Sequence, residues 1–217
     1  MAKAKNKSVL IVNIIILSIV ALAVVFGIVT AFIKTGPAPK LEKPDTIQII
    51  TQGSLNSPND RVDLTNKEDI DKFYNTYVRS TDFSAFRGIL EYQWFKKAHI
   101  TATKDEEGNK QLKTLNKNQL NAVTATTSSQ DNASKYLIAF RYSNNDGPKT
   151  IKIDGKDIAY DTVFFVVRHT AGEIRSFKMY FVEFEKLIFE DFYETYEITA
   201  YGQLTKLYTL IEDILES

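Results

Sequence analysis

Two histidines and no cysteine leave this sequence few side chains able to carry chemistry. His169 stands beside Arg168, Glu173 and Arg175, where an imidazole could serve as a base or a ligand. No nucleophile accompanies it at a recognisable spacing, so the plain reading is a histidine closing a hairpin. His99 has still less around it. The lack of cysteine excludes a disulfide framework, thiolate metal sites and a cysteine nucleophile. Two imidazoles are too few for a zinc centre built on them. Asp60, Asp63, Asp69 and Asp71 crowd one region, but without the glycine and spacing of a calcium loop they read as a helix cap and a solvated face. Glu183 and Glu185 are the nearest pair for carboxylate acid–base work, although acids at strand edges ordinarily serve solubility. Neither glycine-rich nucleotide fingerprint occurs, nor G-x-S-x-G, H-E-x-x-H or an EF-hand loop. No cofactor and no metal is expected.

The most unusual composition is residues 181–201, FVEFEKLIFEDFYETYEITAY, where aromatics interleave with six acids and one lysine. Such a stretch can offer an aromatic, acidic face to a basic protein, peptide or sugar. Aromatic side chains carry much of the energy of interfaces, and a field of one sign steers a partner of the other. Phe184, Phe189, Phe192, Tyr193 and Tyr196, with Glu185, Glu190, Asp191 and Glu194, form this candidate surface. The competing expectation is an amphipathic strand or helix whose aromatics lie in the core.

The elements that must position these residues are legible from periodicity. Thr46–Thr51 reads as a strand ended by turn-rich residues 52–60. Thr65 and Glu68 match a T-x-x-E capping box, and Ile70, Phe73, Tyr74, Tyr77 and Val78 follow at helical spacing, which predicts a helix over 66–79. Residues 83–103 carry both helical and alternating patterns and read as a helix or loop running into a strand. Residues 104–134 are polar, with Leu112, Leu115, Leu120 and Val123 as their large apolar residues, a composition that suits a mobile hairpin, a loop excursion or partial disorder. From Lys135 the pattern is β: a strand over 136–142, a hairpin turning at Asp154-Gly155, and strands over 162–169 and 174–182 joined at Ala171-Gly172. Leu204, Leu207, Tyr208, Ile211, Ile214 and Leu215 then repeat with helical period, predicting a helix over 202–216. Residues 62–65 with 70–74 match 196–199 with 204–208 at one constant offset, which reads either as a strand–helix unit used twice or, no less readily, as the chance likeness of two amphipathic helices.

Val9 to Ile33 is a run of 25 uncharged residues. As a helix of roughly 37 Å it could span a bilayer with some tilt. It is longer than the apolar stretch of a cleaved signal peptide, which favours a retained anchor contacting lipid through 9–33. Lys3, Lys5 and Lys7 precede it without an acid, whereas Lys34, Lys40 and Lys43 follow it with Glu42 and Asp45. The tight leading cluster places the amino terminus in the cytoplasm. Three of the five prolines fall at 37–44, the composition of a spacer.

These readings give an α+β protein: a cytoplasmic tail (1–8), a transmembrane signal anchor (9–33), a Pro-containing linker (34–45) and an extracytoplasmic domain (46–217). In the domain an antiparallel β-meander is packed with two or more amphipathic helices. The layout alone, an anchor followed by a curved sheet with helices on one side, resembles the membrane-anchored NTF2-like domains of secretion-system assembly proteins. The 27 basic and 27 acidic residues cancel, but residues 181–217 hold two bases against nine acids. The functional expectation is a non-catalytic, membrane-tethered interaction module, a subunit of an envelope complex with a protein partner and no nucleic acid. The alternative is an extracytoplasmic hydrolase or small-ligand binder using carboxylates and His169.

Overall fold

The computed structural model describes residues 11–26, 41–81, 99–102, 112–126, 134–143, 145, 147–153, 155–201 and 204–217. The chain divides into two units, Met1–Gly36 and Pro37–Ser217. In the first, residues 11–26 form one helix, α1, whose large apolar side chains are 45–71% exposed. No helix among the described residues is long and apolar enough to cross a membrane. The expected span at 9–33 extends past the described helix at both ends.

The second unit runs β1 (Thr46–Ser54), β2 (Ser57–Leu64), α2 (Lys67–Thr81), β3 (His99–Ala102), β4 (Leu112–Asn116) and α3 (Lys117–Thr124). It continues through β5 (Ser134–Arg141), β6 (Lys149–Ile153), β7 (Lys156–Tyr160), β8 (Thr162–Thr170), β9 (Glu173–Val182), α4 (Phe184–Phe189), β10 (Phe192–Tyr201) and α5 (Thr205–Glu216). Eight strands form one sheet in the order β2-β1-β5-β8-β9-β10-β3, with β4 also on β10, and β6–β7 is a separate hairpin. Every pairing is antiparallel. This is the α+β class with a large antiparallel sheet, as expected; the expected meander is interrupted, because the β6–β7 hairpin leaves the sheet and β5 pairs directly with β8. The β8–β9 turn is the expected two-residue one, with Ala171 at φ 50° and Gly172 at φ 79°. Two positive φ angles match the right-handed twist of the strands they join.

Alternation along the central strands builds two cores. Val163, Phe165 and Val167 join Ile138, Phe140, Met179, Phe181 and Ile198 on one face, with α2, α5 and the β6–β7 hairpin packed over them. Phe164 and Val166 join Leu137, Ala139, Tyr180 and Val182 on the other, where Leu120 of α3 and Leu187 of α4 close the layer. Helices therefore cover both faces, not one side as the resemblance implied.

Local chemistry corrects four further expectations. The residues at 52–60 are mostly strand, because the turn tightens to Leu55-Asn56 and Ser54 pairs with Ser57. Helix α2 begins at Lys67, so its cap is Asn66, not Thr65: Asn66 Oδ1 accepts from the Glu68 N–H at 2.9 Å and its carbonyl accepts from Ile70 at 3.0 Å. A capping box does occur, on α3, where Asn116 Oδ1 accepts from Gln119 N (2.8 Å) and Gln119 Oε1 accepts from Asn116 N (3.0 Å). That helix and β4 lie within 104–134, where an excursion was expected; burial of Leu115 and Leu120 is what orders them. Residues 103–111 and 127–133 of the stretch, and 82–98 before it, lie outside the described residues.

The fourth correction concerns the linker. Its last residues, 41–45, belong to the fold. Leu41 is 5% exposed, and its carbonyl accepts from the Tyr74 hydroxyl at 2.6 Å. The Glu42 carbonyl accepts from Tyr142 Oη at 3.0 Å, and Asp45 bonds the Ser143 and Arg141 backbones. Ion pairs Lys43–Asp71 (2.9 Å) and Glu42–Lys149 (2.7 Å) flank this strap.

Candidate functional site

The aromatic, acidic stretch becomes the corner between β9 and β10. At its centre is α4, six residues long and far too short to hold itself. Neighbouring strands hold it instead. The Phe184 N–H, at the helix start, donates to Asp161 Oδ1 at 2.8 Å, and the Thr162 hydroxyl donates to the same oxygen. Asp161 thus caps α4 from the β7–β8 connection, in place of Glu183, whose side chain makes no cap bond. The Arg141 guanidinium lies 4.0 Å from the centre of the Phe184 ring. It is fixed there by Gln48 Oε1 (2.9 Å) and Thr162 Oγ1 (3.2 Å). Burial lowers its pKa, and the Asp161 charge works against that fall. The Glu183 N–H donates to Tyr193 Oη at 2.9 Å, and Leu187 is sunk in the second core. Burial raises the Tyr193 pKa, against a smaller lowering by that backbone bond.

This scaffold pushes two rings into solvent: Phe189 is 78% exposed and Phe192 is 65% exposed. Among the described residues of the second unit, Val78 is the one other large apolar side chain so open. Glu185, Glu190, Asp191 and Glu194 are all exposed around the two rings. Lys186, the lone base of the corner, is engaged by Glu183 at 2.8 Å. The candidate residues therefore separate into three groups. Phe189, Phe192 and the four acids form the surface, while Phe184 and Tyr193 are half-buried and fasten it. Tyr196, 1% exposed, belongs to the first core and leaves the surface. Period two explains the split: Phe192, Glu194 and Tyr196 share a face of β10, but only Tyr196 reaches inward to the packed helices.

The other candidates do not assemble. Asp63 pairs with Arg61, Asp71 with Lys43, and Asp60 accepts from Thr51. No group of three His, Asp or Glu placed to hold a metal occurs among the described residues. Glu183 is spent on Lys186 while Glu185 points to solvent. His169 is 9% exposed, stacked on Tyr136 at 4.4 Å between ring centres. The side chain of His99 lies outside the described residues.

Sequence reasoning missed Asp161 and Arg141, whose role depends on contacts distant in the chain. It also missed Glu197, 3% exposed on β10. Its carboxylate accepts from Tyr180 Oη (2.7 Å) and Lys178 Nζ (3.0 Å), with Lys113 Nζ at 3.4 Å. Burial pushes its pKa up, but the hydroxyl and the two ammonium groups outweigh burial and hold it below the ordinary carboxylate value. The available signal was Lys178-x-Tyr180 on one strand, with spacing two placing both on the face that Glu197 occupies next door.

Compared with protein-family models, curated proteins and solved structures, the chain matches none of them.

Proposed function

We propose that this chain is a membrane-tethered, non-catalytic interaction module, a subunit of an envelope complex, that docks a basic protein partner on the Phe189–Phe192 corner. The observation that carries the reading is two protruding phenylalanines, Phe189 ending α4 and Phe192 opening β10, among four exposed acids, at a corner whose helix is too short to stand without borrowed support. A folded domain that spends contacts to hold apolar rings in water gains nothing for its own stability; the gain comes when a partner covers them. The rim selects the partner's sign: bases beside an apolar socket complement it, and an anionic lipid surface does not. Tethering is supported by α1, whose exposed apolar side chains need lipid or protein around them. The lysines at 3, 5 and 7 support an amino terminus in the cytoplasm and a domain outside it.

The test places a photo-crosslinking residue at 189, at 192 and, as a control, at exposed position 157 of the full chain in intact membranes. The expected result is one adduct from 189 and 192, absent from 157, mapping to a basic segment of another protein and lost in Glu190→Lys/Asp191→Lys. Recovery of the chain as a solitary monomer, or an adduct indifferent to the charge reversals, overturns the docking reading. Extraction of the chain by alkaline carbonate overturns the tether, and protease protection of the domain in intact cells overturns the orientation.

A further inference from the structure

A buried imidazole with an unsatisfied nitrogen lies under helix α5, away from the corner. His169 Nε2 has no hydrogen-bond partner, although the residue is 9% exposed. Tyr136 of β5 stacks on the ring at 4.4 Å and 18°, and Tyr208 of α5 leans on it at 5.2 Å and 44°. The Tyr136 hydroxyl donates to Glu212 Oε1 at 2.6 Å, and the Tyr208 hydroxyl lies against the same carboxylate. In the sheet, the cross-strand partner of His169 is Ile174 of β9. From α5, β5 and β9 the titratable or charged groups brought to His169 among the described residues are Tyr208, Glu212 and Tyr136.

A neutral imidazole carries one donor and one acceptor nitrogen and no charge to desolvate. Imidazolium has two N–H donors and a charge. With no acceptor at Nε2, the new donor and the charge would both be stranded in an apolar sandwich. Glu212 attracts the proton, but that pull is smaller than the cost of burying the charge. We propose that His169 is an acid-sensitive latch on α5: protonation of its ring forces Tyr208 and Glu212 away from the sheet, so that α5 opens while the rest of the domain stays folded. The direction of the His169 shift agrees, since burial lowers its pKa against a smaller opposing pull from Glu212. A folded-state value below the unfolded one gives stability that is complete at neutral pH and drains away as pH falls through about 6.5. The interval from pH 7.5 to 5.5 brackets the ordinary imidazole value.

The chain has only two histidines, which makes the test clean. In the full chain held in neutral detergent, with His99→Gln to leave one imidazole, NMR titration should give His169 a pKa below 6.5. Amide exchange of residues 205–216, corrected for intrinsic rates, should report opening up to about tenfold more frequent at pH 5.5 than at 7.5, tenfold being one pKa unit. Helix α2 should show no such change. His169→Phe keeps a flat ring in the stack and should abolish the pH response. An imidazole pKa at or above 6.5, equal α5 protection at both pH values, or a pH response surviving in His169→Phe overturns the latch. If that variant fails to fold, the titration and exchange of the parent chain decide alone.

Discussion

Single side chains in this domain are judged by whether their polar atoms are answered. The Tyr77 hydroxyl is buried with the Thr81 hydroxyl near it but outside good hydrogen-bond geometry, beside a cavity of about 10 Å³ walled by Phe73, Ile138, Phe140, Phe165, Val167 and Leu207. Its ring is well used, edge-on to Phe140 at 5.3 Å and close to Phe165. Tyr77→Phe keeps those contacts and removes a desolvated hydroxyl, so it should raise stability by about 1 kcal/mol, read as a higher denaturation midpoint at unchanged slope. Glu197 is the opposite case, a buried carboxylate answered three times. Removing it in Glu197→Leu leaves Tyr180 Oη without its acceptor, at a cost of about 1–3 kcal/mol. Because the folded-state pKa of Glu197 is depressed, its contribution is present above the unfolded value near 4.3 and is lost as pH falls through the folded one. Acid titration of the parent and of Glu197→Gln should therefore converge below that range; parallel curves down to low pH would refute the assignment.

At the scale of elements, what was legible in the sequence divides by the range of the force responsible. Strands β5 to β9, helix α2 and helix α5 follow from periodicity and turn residues, because short-range chemistry places them: Asp154-Gly155, Ala171-Gly172, and apolar residues at helical spacing. Helix α3 carries a capping box in plain letters, but its polar face and flanks hid the two leucines that order it. Helix α4 has no local cause at all. Its cap comes from Asp161, its stack from Arg141 and its anchor from Leu187, contacts that no window of sequence contains. The candidate surface was legible as composition, whereas the removal of Tyr196 required knowing where β10 enters the core. The dependence of α4 on Asp161 is open to test. Asp161→Ala strips the cap from the Phe184 N–H and the opposing charge from Arg141, costing about 2 kcal/mol on the scale of lost caps. The loss should fall locally: trypsin should cut after Lys186 faster, while amide exchange in α2 stays as it was. Equal cleavage in parent and variant would mean that Leu187 alone holds the helix.

At the scale of the whole domain, the sheet order carries a symmetry that the sequence offset announces. Reading β2-β1-β5-β8-β9-β10 with every pair antiparallel, β2 and β10 run in opposite directions at matching positions. A two-fold axis normal to the sheet, between β5 and β8, exchanges them and carries β1 onto β9. Each of β2 and β10 leads into a helix on the same face, and Ile70, Phe73 and Tyr77 of α2 are buried as are Leu204, Leu207 and Ile211 at the constant offset. Two features break the symmetry. One is the β9–β10 corner, which replaces the two-residue β1–β2 turn with α4 and leaves Phe189 and Phe192 exposed. The other is the strap at 41–45: Tyr74 holds the Leu41 carbonyl, while its counterpart Tyr208 leans on His169. The strap shifts the start of the domain from the expected 46 to 41 and shortens whatever separates it from α1. A fragment beginning at 46 loses the burial of Leu41, about 1.5–3 kcal/mol, together with the acceptors of Tyr74 and Tyr142. For a domain of this size that loss should lower the melting temperature by roughly 3–12 °C relative to a fragment beginning at 37. Equal melting of the two would return 41–45 to the linker. A drop that Leu41→Ala reproduces in the longer fragment would assign it to that side chain.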